Sequence, residues 1–373
     1  MNRAKVSIVK CNDYQRRLVQ SSVVRAIDLI GGISSFIRPQ SRVLVKPNLL
    51  MAKGPDSGIT THPEVVRAVV RMLKGIDCQV IVGDGPSVWG NQIENVDEVY
   101  EFTGIKQVCL DEGVSLVKFD KRRWHKKFPL STWLDHCDHV VNLPKFKTHD
   151  LTTLTGAIKN LFGVVTGSFK TELHKNYYKI EDFSGILVDI YEAVKPSLTL
   201  VDAVVAMEGD GPASAGKLRK PRLLLAGSDC VALDSILALI MGIRPTDIVS
   251  TKEAASRGLG VADLDSISVA GEKLEDAIGE PFLLPSTSMI KKIPGPVIEL
   301  AKKLIKFRPY VLRENCTKCR ACIDACPNKC IQMKNELITF DYKNCISCFC
   351  CQEACPTAAI QVKKSIIAKI IGL

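Results

Sequence analysis

Residues 42–86 read RVLVKPNLLMAKGPDSGITTHPEVVRAVVRMLKGIDCQVIVGDGP. RVLVKPNLL (42–50) is an apolar run that reads as a buried strand. HPEVVRAVVRMLKG (62–75), with Pro63 near its start, reads as a helix. CQVIVGDGPS (78–87) reads as a second strand that ends in a glycine turn. Strand, helix and strand in that order make a βαβ unit, which argues for parallel pairing with the helix laid on one face of the sheet.

The same alternation extends in both directions. KVSIVKC (5–11) is expected to be a strand and RLVQSSVVRAIDLIGG (17–32) a helix closed by glycines. Further on, HVVNLPKFKTH (139–149), LTLVDAVVAMEGDGP (198–212) and RLLLAGSD (222–229) read as strands, and DCVALDSILALIMG (229–242) as a helix. Residues 1–279 are therefore expected to form an α/β domain, a mostly parallel sheet with helices on both faces. Ligands of such sheets bind beyond the carboxyl ends of the strands.

The polar clusters sit at those ends. Lys46 and Asn48 follow the strand 43–45, Asp84 lies in the first of two GDGP turns, and Lys145, Lys147 and His149 follow 140–143. Asp210 lies in the second GDGP, and TGAIKNLFG adds Lys159 and Asn160. Lysines on such an edge suit a carboxylate or phosphate, and aspartates suit a metal, hydroxyl or ammonium group. Each cluster also has a plainer reading. GDGP is ordinary turn chemistry, His149 can be a solvated or capping residue, and Asp229 or Ser228 can cap the following helix that Asp234 lines. Lys145 and Lys147 alternate with Phe146, so the two lysines share a face from which Phe146 points away. Neither GxGxxG after the first strand nor GxxxxGK[ST] is present, which disfavours the usual dinucleotide fold and a P-loop ATPase.

The chain has 373 residues, 46% hydrophobic and 24% charged. That composition excludes wholesale disorder, collagen and a short disulfide scaffold. Its apolar runs fall short of the ~18 residues that span a bilayer, and residues 1–17 lack the apolar stretch of a signal peptide. A soluble, cytoplasmic protein is expected. Of the net +10, nearly all lies beyond residue 280, where 15 Lys and Arg face 6 Asp and Glu. Within residues 280–312, a linker, Pro296 opens a helical pattern with Val297, Leu300, Ala301, Leu304 and Ile305 opposed by Lys302, Lys303 and Lys306. That helix either packs on its own protein or docks an acidic partner; contact with a membrane surface is the lesser alternative. Nucleic acid is disfavoured, because aromatic residues are 6% and no stacking motif accompanies the lysines.

Ten of the 15 cysteines lie between Cys316 and Cys355. The other five are scattered beside apolar stretches, as buried thiols of a reducing compartment would be. ENCTKCRACIDACP (314–327) and KNCISCFCCQEACP (343–356) both contain C-x2-C-x2-C-x3-C-P, offset by 29 residues. This run belongs to bacterial ferredoxins with two [4Fe–4S] clusters, in which the fourth cysteine of each copy reaches the other cluster. One cluster is expected on Cys316, Cys319, Cys322 and Cys355, and the other on Cys345, Cys348, Cys351 and Cys326. Zinc ribbons also use CxxC pairs, but their ligand pairs stand further apart. Cys330 and Cys350 fall outside the pattern. Residues 313–362 thus resemble a small α+β ferredoxin-like domain, followed by a basic apolar tail at 363–373. Such clusters suit an anaerobe or a reducing cytoplasm.

VKPNLL, THPEVVRAVV, GDGP, PKFKTH, TGAIKNLFG, VDAVVAMEGDGP and AGSDCVALDS, in that order, resemble the family known as domain of unknown function 362 over roughly residues 5–271. Members of that family often end in a ferredoxin-like module. The resemblance implies an iron–sulfur protein and places family motifs on Lys46, Asn48, Asp84, Lys145, Lys147, His149, Lys159, Asn160, Asp210 and Asp229; it supplies no reaction. Two readings stand. In the first, the chain is a ferredoxin-coupled oxidoreductase. It passes electrons from the clusters to a small anionic substrate, with His149 or Lys147 as proton donor and Lys46, Lys145 and Lys159 orienting the anion. In the second it is an electron-transfer or redox-sensing subunit without chemistry of its own, docking a partner protein. Either reading requires a redox partner or electron donor.

Overall fold

The computed structural model describes residues 3–86, 96–287 and 307–364. In the first two segments the strands are β1 (Ala4–Lys10), β2 (Arg42–Pro47), β3 (Gln79–Asp84), β4 (Ser115–Lys118), β5 (Arg122–His125), β6 (Phe128–Ser131), β7 (His139–Leu143), β8 (Lys145–His149), β9 (Thr153–Thr155), β10 (Leu198–Glu208), β11 (Lys217–Arg219), β12 (Leu223–Gly227) and β13 (Ile267–Gly271). The last segment holds β14 (Phe307–Val311), β15 (Ile331–Lys334), β16 (Leu337–Phe340) and β17 (Ile360–Lys364). The expected basic helix at 296–306 and the tail from 365 onward lie outside the described residues.

The main sheet runs β13-β1-β12-β10-β7-β2-β3-β4. β2 sits near its centre, parallel to both β3 and β7, with Val43, Leu44 and Val45 fully buried. A strand covered on both faces has no solvent side, which is why its sequence is an unbroken apolar run. Leu44 enters the core on one side of the sheet, and Val43 and Val45 enter the core on the other. Helices Arg16–Asp28 and Pro63–Lys74 cover the second side, and Ile180–Val194 and Cys230–Ile240 cover the first. The α/β architecture with helices on both faces is therefore present.

The sheet is mixed, mostly parallel. β12 runs antiparallel to both its neighbours, β1 and β10. The reason is the connection: residues 209–222, between β10 and β12, contain only the short β11 and no helix, so the chain cannot make the crossover that a parallel return needs.

β7 and β8 are nearly one strand interrupted at Pro144, which has no N–H to donate. After the break β8 leaves β2 and pairs along β10, Lys145 opposite Asp202 and Lys147 opposite Met207, with an irregularity between. Two lysines that are two residues apart in sequence thus face partners five residues apart on β10.

In the last segment β14 pairs antiparallel with β17, and β15 with β16 through a turn at Asn335 and Glu336, both with positive φ. Positive φ also recurs at the repeat offset, at Lys318 and Ser347, Arg320 and Phe349, and Lys329 and Ala358. None is glycine, so each is an uncommon backbone choice, and its repetition shows that the two copies fold alike.

Candidate functional site

At the carboxyl ends of β2, β3 and β8 lies a cavity of about 50 Å3. Its wall includes Asn48, Asp84, Lys147, Thr155, Lys159, Asn160, Lys170, His174 and Glu353. Behind that wall Lys46, fully buried, pairs with Asp84 at 2.8 Å and donates to the Pro47 carbonyl at 3.1 Å. Asp84 also accepts from the Leu49 N–H at 2.9 Å. Burial lowers the Lys46 ammonium from its ordinary range, and Asp84 opposes that shift. Gly163 makes this pair fit, because a Cβ there would overlap both the Asp84 carboxylate and the Lys46 ammonium.

A ladder of side-chain amides sets the floor. Asn142 of β7 donates to the Ala157 carbonyl at 3.0 Å, Asn160 donates to Asn142 at 2.8 Å, and Asn48 donates to Asn160 at 3.0 Å. Asn160 and Lys159 lie on the short helix Ala157–Asn160. Asp234 caps that helix by accepting from the Ala157 N–H at 2.6 Å and the Ile158 N–H at 3.1 Å. Asp229 caps its own helix, accepting from the Val231 and Ala232 N–H groups. Both aspartates take the capping role and neither lines the cavity.

Lys147 donates to the Ile59 carbonyl at 2.6 Å, and burial, then Lys159 and Lys145, lower its ammonium to about 7. Lys159 is half-buried and lies over the Phe162 ring; burial lowers it, while Glu353 and Cys350 act the other way. Lys170, on the helix Phe169–Asn176, donates to the Gly85 carbonyl, and burial lowers it to about 8. His174, one turn further along, is lowered to about 3, chiefly by burial and then by Lys159, so its ring is neutral. The Thr155 hydroxyl and His174 Nδ1 are buried without a hydrogen-bond partner.

Five of the expected site residues, Asn48, Asp84, Lys147, Lys159 and Asn160, meet at this cavity, and Lys46 stands behind Asp84. The other three lie away from it. Lys145 is paired with Asp202 at 2.9 Å and donates to the Tyr14 hydroxyl at 2.7 Å, which itself donates to Asp202 at 2.7 Å. Asp210 accepts from the Ser286 N–H and hydroxyl and so ties down the chain after the sheet. His149 accepts from the Leu151 and Thr152 N–H groups at Nδ1 and turns Nε2 toward Glu353, 3.2 Å away.

Lys170, His174, Thr155 and Glu353 were not singled out in the sequence. Lys170 and His174 stand on a helix rather than after a strand. Glu353 comes from the cluster module, on the helix Cys350–Glu353, where it is buried. Its carboxyl is raised by burial, opposed by Lys159 and Lys147. The Ser214 hydroxyl donates to the Pro356 carbonyl at 3.2 Å and adds a second contact between the two parts.

The cysteines gather in two cavities. One is lined by Cys316, Cys319, Cys322 and Cys355, and the other by Cys326, Cys345, Cys348 and Cys351 with Cys330 beside them. In each, the fourth cysteine of one copy joins the first three of the other. The Cys330 N–H reaches Cys326 Sγ at 3.3 Å, and the Ala359 N–H reaches Cys355 Sγ at 3.2 Å, again at the repeat offset. N–H donors to sulfur suit thiolates that bear cluster charge. Among the described residues no group of three or more His, Cys, Asp or Glu is gathered for a single metal ion. Each cavity gathers four cysteines of the repeat, the ligand number of a [4Fe–4S] cluster.

Comparison with known proteins agrees. Residues 315–359 match the 4Fe-4S dicluster domain. A thylakoid-associated protein of Synechocystis sp. is 32% identical over 263 residues, 69% of this chain and 79% of that protein. Among the described residues no helix is long and apolar enough to cross a membrane. Residues 43–238, which hold the cavity's lysines and amides, match the domain of unknown function DUF362, so the chain belongs to the DUF362 family and is an iron–sulfur protein with a ferredoxin-type domain following that unit.

Proposed function

We propose that the protein is an iron–sulfur oxidoreductase that exchanges electrons between two [4Fe–4S] clusters and a small anion in the lysine-walled cavity. Cys316, Cys319, Cys322 and Cys355 would hold one cluster, and Cys345, Cys348, Cys351 and Cys326 the other, in keeping with the two four-cysteine cavities. The observation that carries the reading is Glu353. It stands two residues after Cys351 and two before Cys355, and it is part of the same wall as Lys147 and Lys159. Bound clusters supply electrons one at a time.

The chain's own residues do the rest. Lys159 and Lys170 hold the anion by charge, and the amides of Asn48 and Asn160 orient it. Lys147, whose ammonium is brought to about 7, can give a proton from Nζ near neutral pH. His149 acts through Glu353 as a positioning residue, and Lys145 braces β8 against β10 through Asp202. Cys319 is exposed beside Arg320, while Lys318 pairs with Glu336 at 2.6 Å, so Arg320 would meet an acidic electron-donor protein there.

The test is a reoxidation assay. The protein is purified anaerobically and reduced chemically, and recovery of its visible absorbance is followed as small anions or fractionated extract are added. Recovery with consumption of a small molecule supports the reading. Recovery only with a macromolecular fraction overturns it in favour of an electron-transfer subunit.

A further inference from the structure

The cavity wall is not electrically balanced. It presents the ammonium groups of Lys147, Lys159 and Lys170 and the carboxylates of Asp84 and Glu353, and Asp84 is already committed to Lys46 behind it. Counting Lys46, four lysine amino groups share two carboxylates, so the protein does not supply enough counter-charge to keep all four protonated, and Lys147 and Lys170 are held to about 7 and about 8. Uncompensated charge away from water is costly, so a site built this way is completed by a ligand of opposite charge.

Two free neutral donors point the same way, and the Asn48 amide oxygen, also without a partner, can accept from a protonated ligand oxygen. The Thr155 hydroxyl, 3% exposed as a residue, and His174 Nδ1, also 3%, line the cavity and have no hydrogen-bond partner. A hydroxyl can donate, and a neutral imidazole can carry its proton on Nδ1. Three lysine amino groups, a hydroxyl and an imidazole N–H thus converge on a space of about 50 Å3, a size that suits a compact group. Gly85 keeps it open on one side, because a Cβ there would crowd Lys170 and the Gly163 carbonyl.

We infer that the cavity binds a compact oxyanion carrying two negative charges, held by Lys147, Lys159 and Lys170 and by the free hydrogen-bonding groups of Thr155 and His174. The Glu353 carboxylate at the same wall faces whatever hydroxyl or protonated oxygen the ligand carries. The inference rests on the anion-binding half of the function proposed above and needs no electron transfer. The oxyanion can be a free ion or the charged end of a longer molecule that enters through the open side.

The test uses the full-length protein with its clusters oxidised and inorganic phosphate as the probe. Thermal unfolding and calorimetric titration are run against sulfate, acetate and chloride at equal ionic strength. Phosphate and sulfate should raise the unfolding temperature in a saturable way, as ligands of the native state do, while acetate and chloride should not. Phenyl phosphate separates the two sources: binding as tight as phosphate shows that a charged end suffices, and exclusion shows that the free ion is the ligand. Lys159→Met should weaken phosphate binding at least tenfold, and Thr155→Val should weaken it less, with the visible absorbance of the clusters unchanged. Lys170→Arg keeps the charge and should retain binding if Lys170→Met unfolds the protein. A response to phosphate no larger than to chloride, or one that survives both Lys159→Met and Lys170→Met, overturns the inference. Phosphate binding without reoxidation by any anion leaves this site standing and removes only the oxidoreductase reading.

Discussion

Glu353 Oε1, on the short helix that carries Cys351, lies 3.2 Å from His149 Nε2 at the end of β8, and both side chains are buried. Because the Leu151 and Thr152 N–H groups donate to Nδ1, the ring proton is placed on Nε2, facing the carboxylate. This contact joins the cluster module to the sheet edge at a residue that also walls the cavity. His149→Ala should therefore destabilise the loaded protein by about 1–3 kcal/mol, the cost of leaving a buried polar group unpaired. Glu353→Gln, which keeps the side chain's shape beside the ring and removes its charge, should cost less. Chemical denaturation followed by circular dichroism checks both, and a His149→Ala protein as stable as the wild type would show that this contact does not hold the module.

Lys46 and Asp84 form a pair with 0% and 2% side-chain exposure. Removing one partner of a buried pair leaves the other charge uncompensated, at a cost of about 3–5 kcal/mol. Asp84→Asn and Lys46→Met should each show a loss of that order, and the double variant should lose much less than their sum. A double-mutant cycle in denaturant gives the coupling directly; additive losses would mean that the two groups do not act as a pair.

The pH dependence follows from Lys147 and Lys170, held at about 7 and about 8 in the folded protein against an ordinary 10.5. Facing them are Lys46, Lys145, Lys159, His174, Asp84 and Glu353. Between about pH 7 and pH 10.5 the unfolded chain binds more protons at these two lysines than the folded one, so their contribution makes stability rise with pH over that window. Below pH 7 the full penalty of burying the two charges is present. A bound dianion restores their ordinary affinity for protons, so saturating phosphate should flatten the rise, and phosphate affinity should fall as pH climbs from 7 to 9. Unfolding measured at several pH values with and without phosphate reads both slopes; a phosphate affinity that increases with pH would contradict the assignment.

Asp234 reaches across from its own helix to cap the one that carries Lys159 and Asn160. Asp234→Ala should cost about 1–2 kcal/mol as a lost cap and should weaken phosphate binding although Asp234 does not line the cavity. Gly156→Ala should act alike, because a Cβ there would collide with the Asp234 carboxylate. If titration shows wild-type affinity in both, the cap does not position the site.

For the cysteines, the crossed sets make a specific pattern. Cys316→Ser and Cys355→Ser should remove the same cluster, and Cys345→Ser and Cys326→Ser the other, each with about half the iron lost. Cys350→Ala should keep the full complement. Iron analysis with electron paramagnetic resonance of the reduced protein distinguishes the two signals, and pairing of Cys326 with Cys316 instead would refute the crossing.

Several strands and three helices of the α/β unit were legible because their signal is local. A strand such as 42–47, covered on both faces, must be apolar throughout, and a helix such as 63–74 announces itself through Pro63 and the glycine at 75. β13 was missed at the sheet edge because a short, half-covered strand carries little pattern. The reversal of β12 was missed because direction depends on the length and content of a connection, which hydrophobic periodicity does not report.

The candidate site divides in the same way. The spacing of the cysteines by itself determined where the iron–sulfur domain lies, since each ligand loop is a short stretch whose geometry is set by its own residues. The set of polar groups at the strand ends was also visible, because β strands deliver their last residues to a common edge. Only the tertiary structure decided which of them meet. It paired Lys46 with Asp84 and Lys145 with Asp202, set His149 against Glu353, and brought Lys170 and His174 from a helix into the wall. Those choices arise from sheet order, from the break at Pro144 and from the docking of a second domain, all of which act between residues far apart in the chain. Charge compensation and burial are settled by neighbours in space, and no local spacing encodes who those neighbours are.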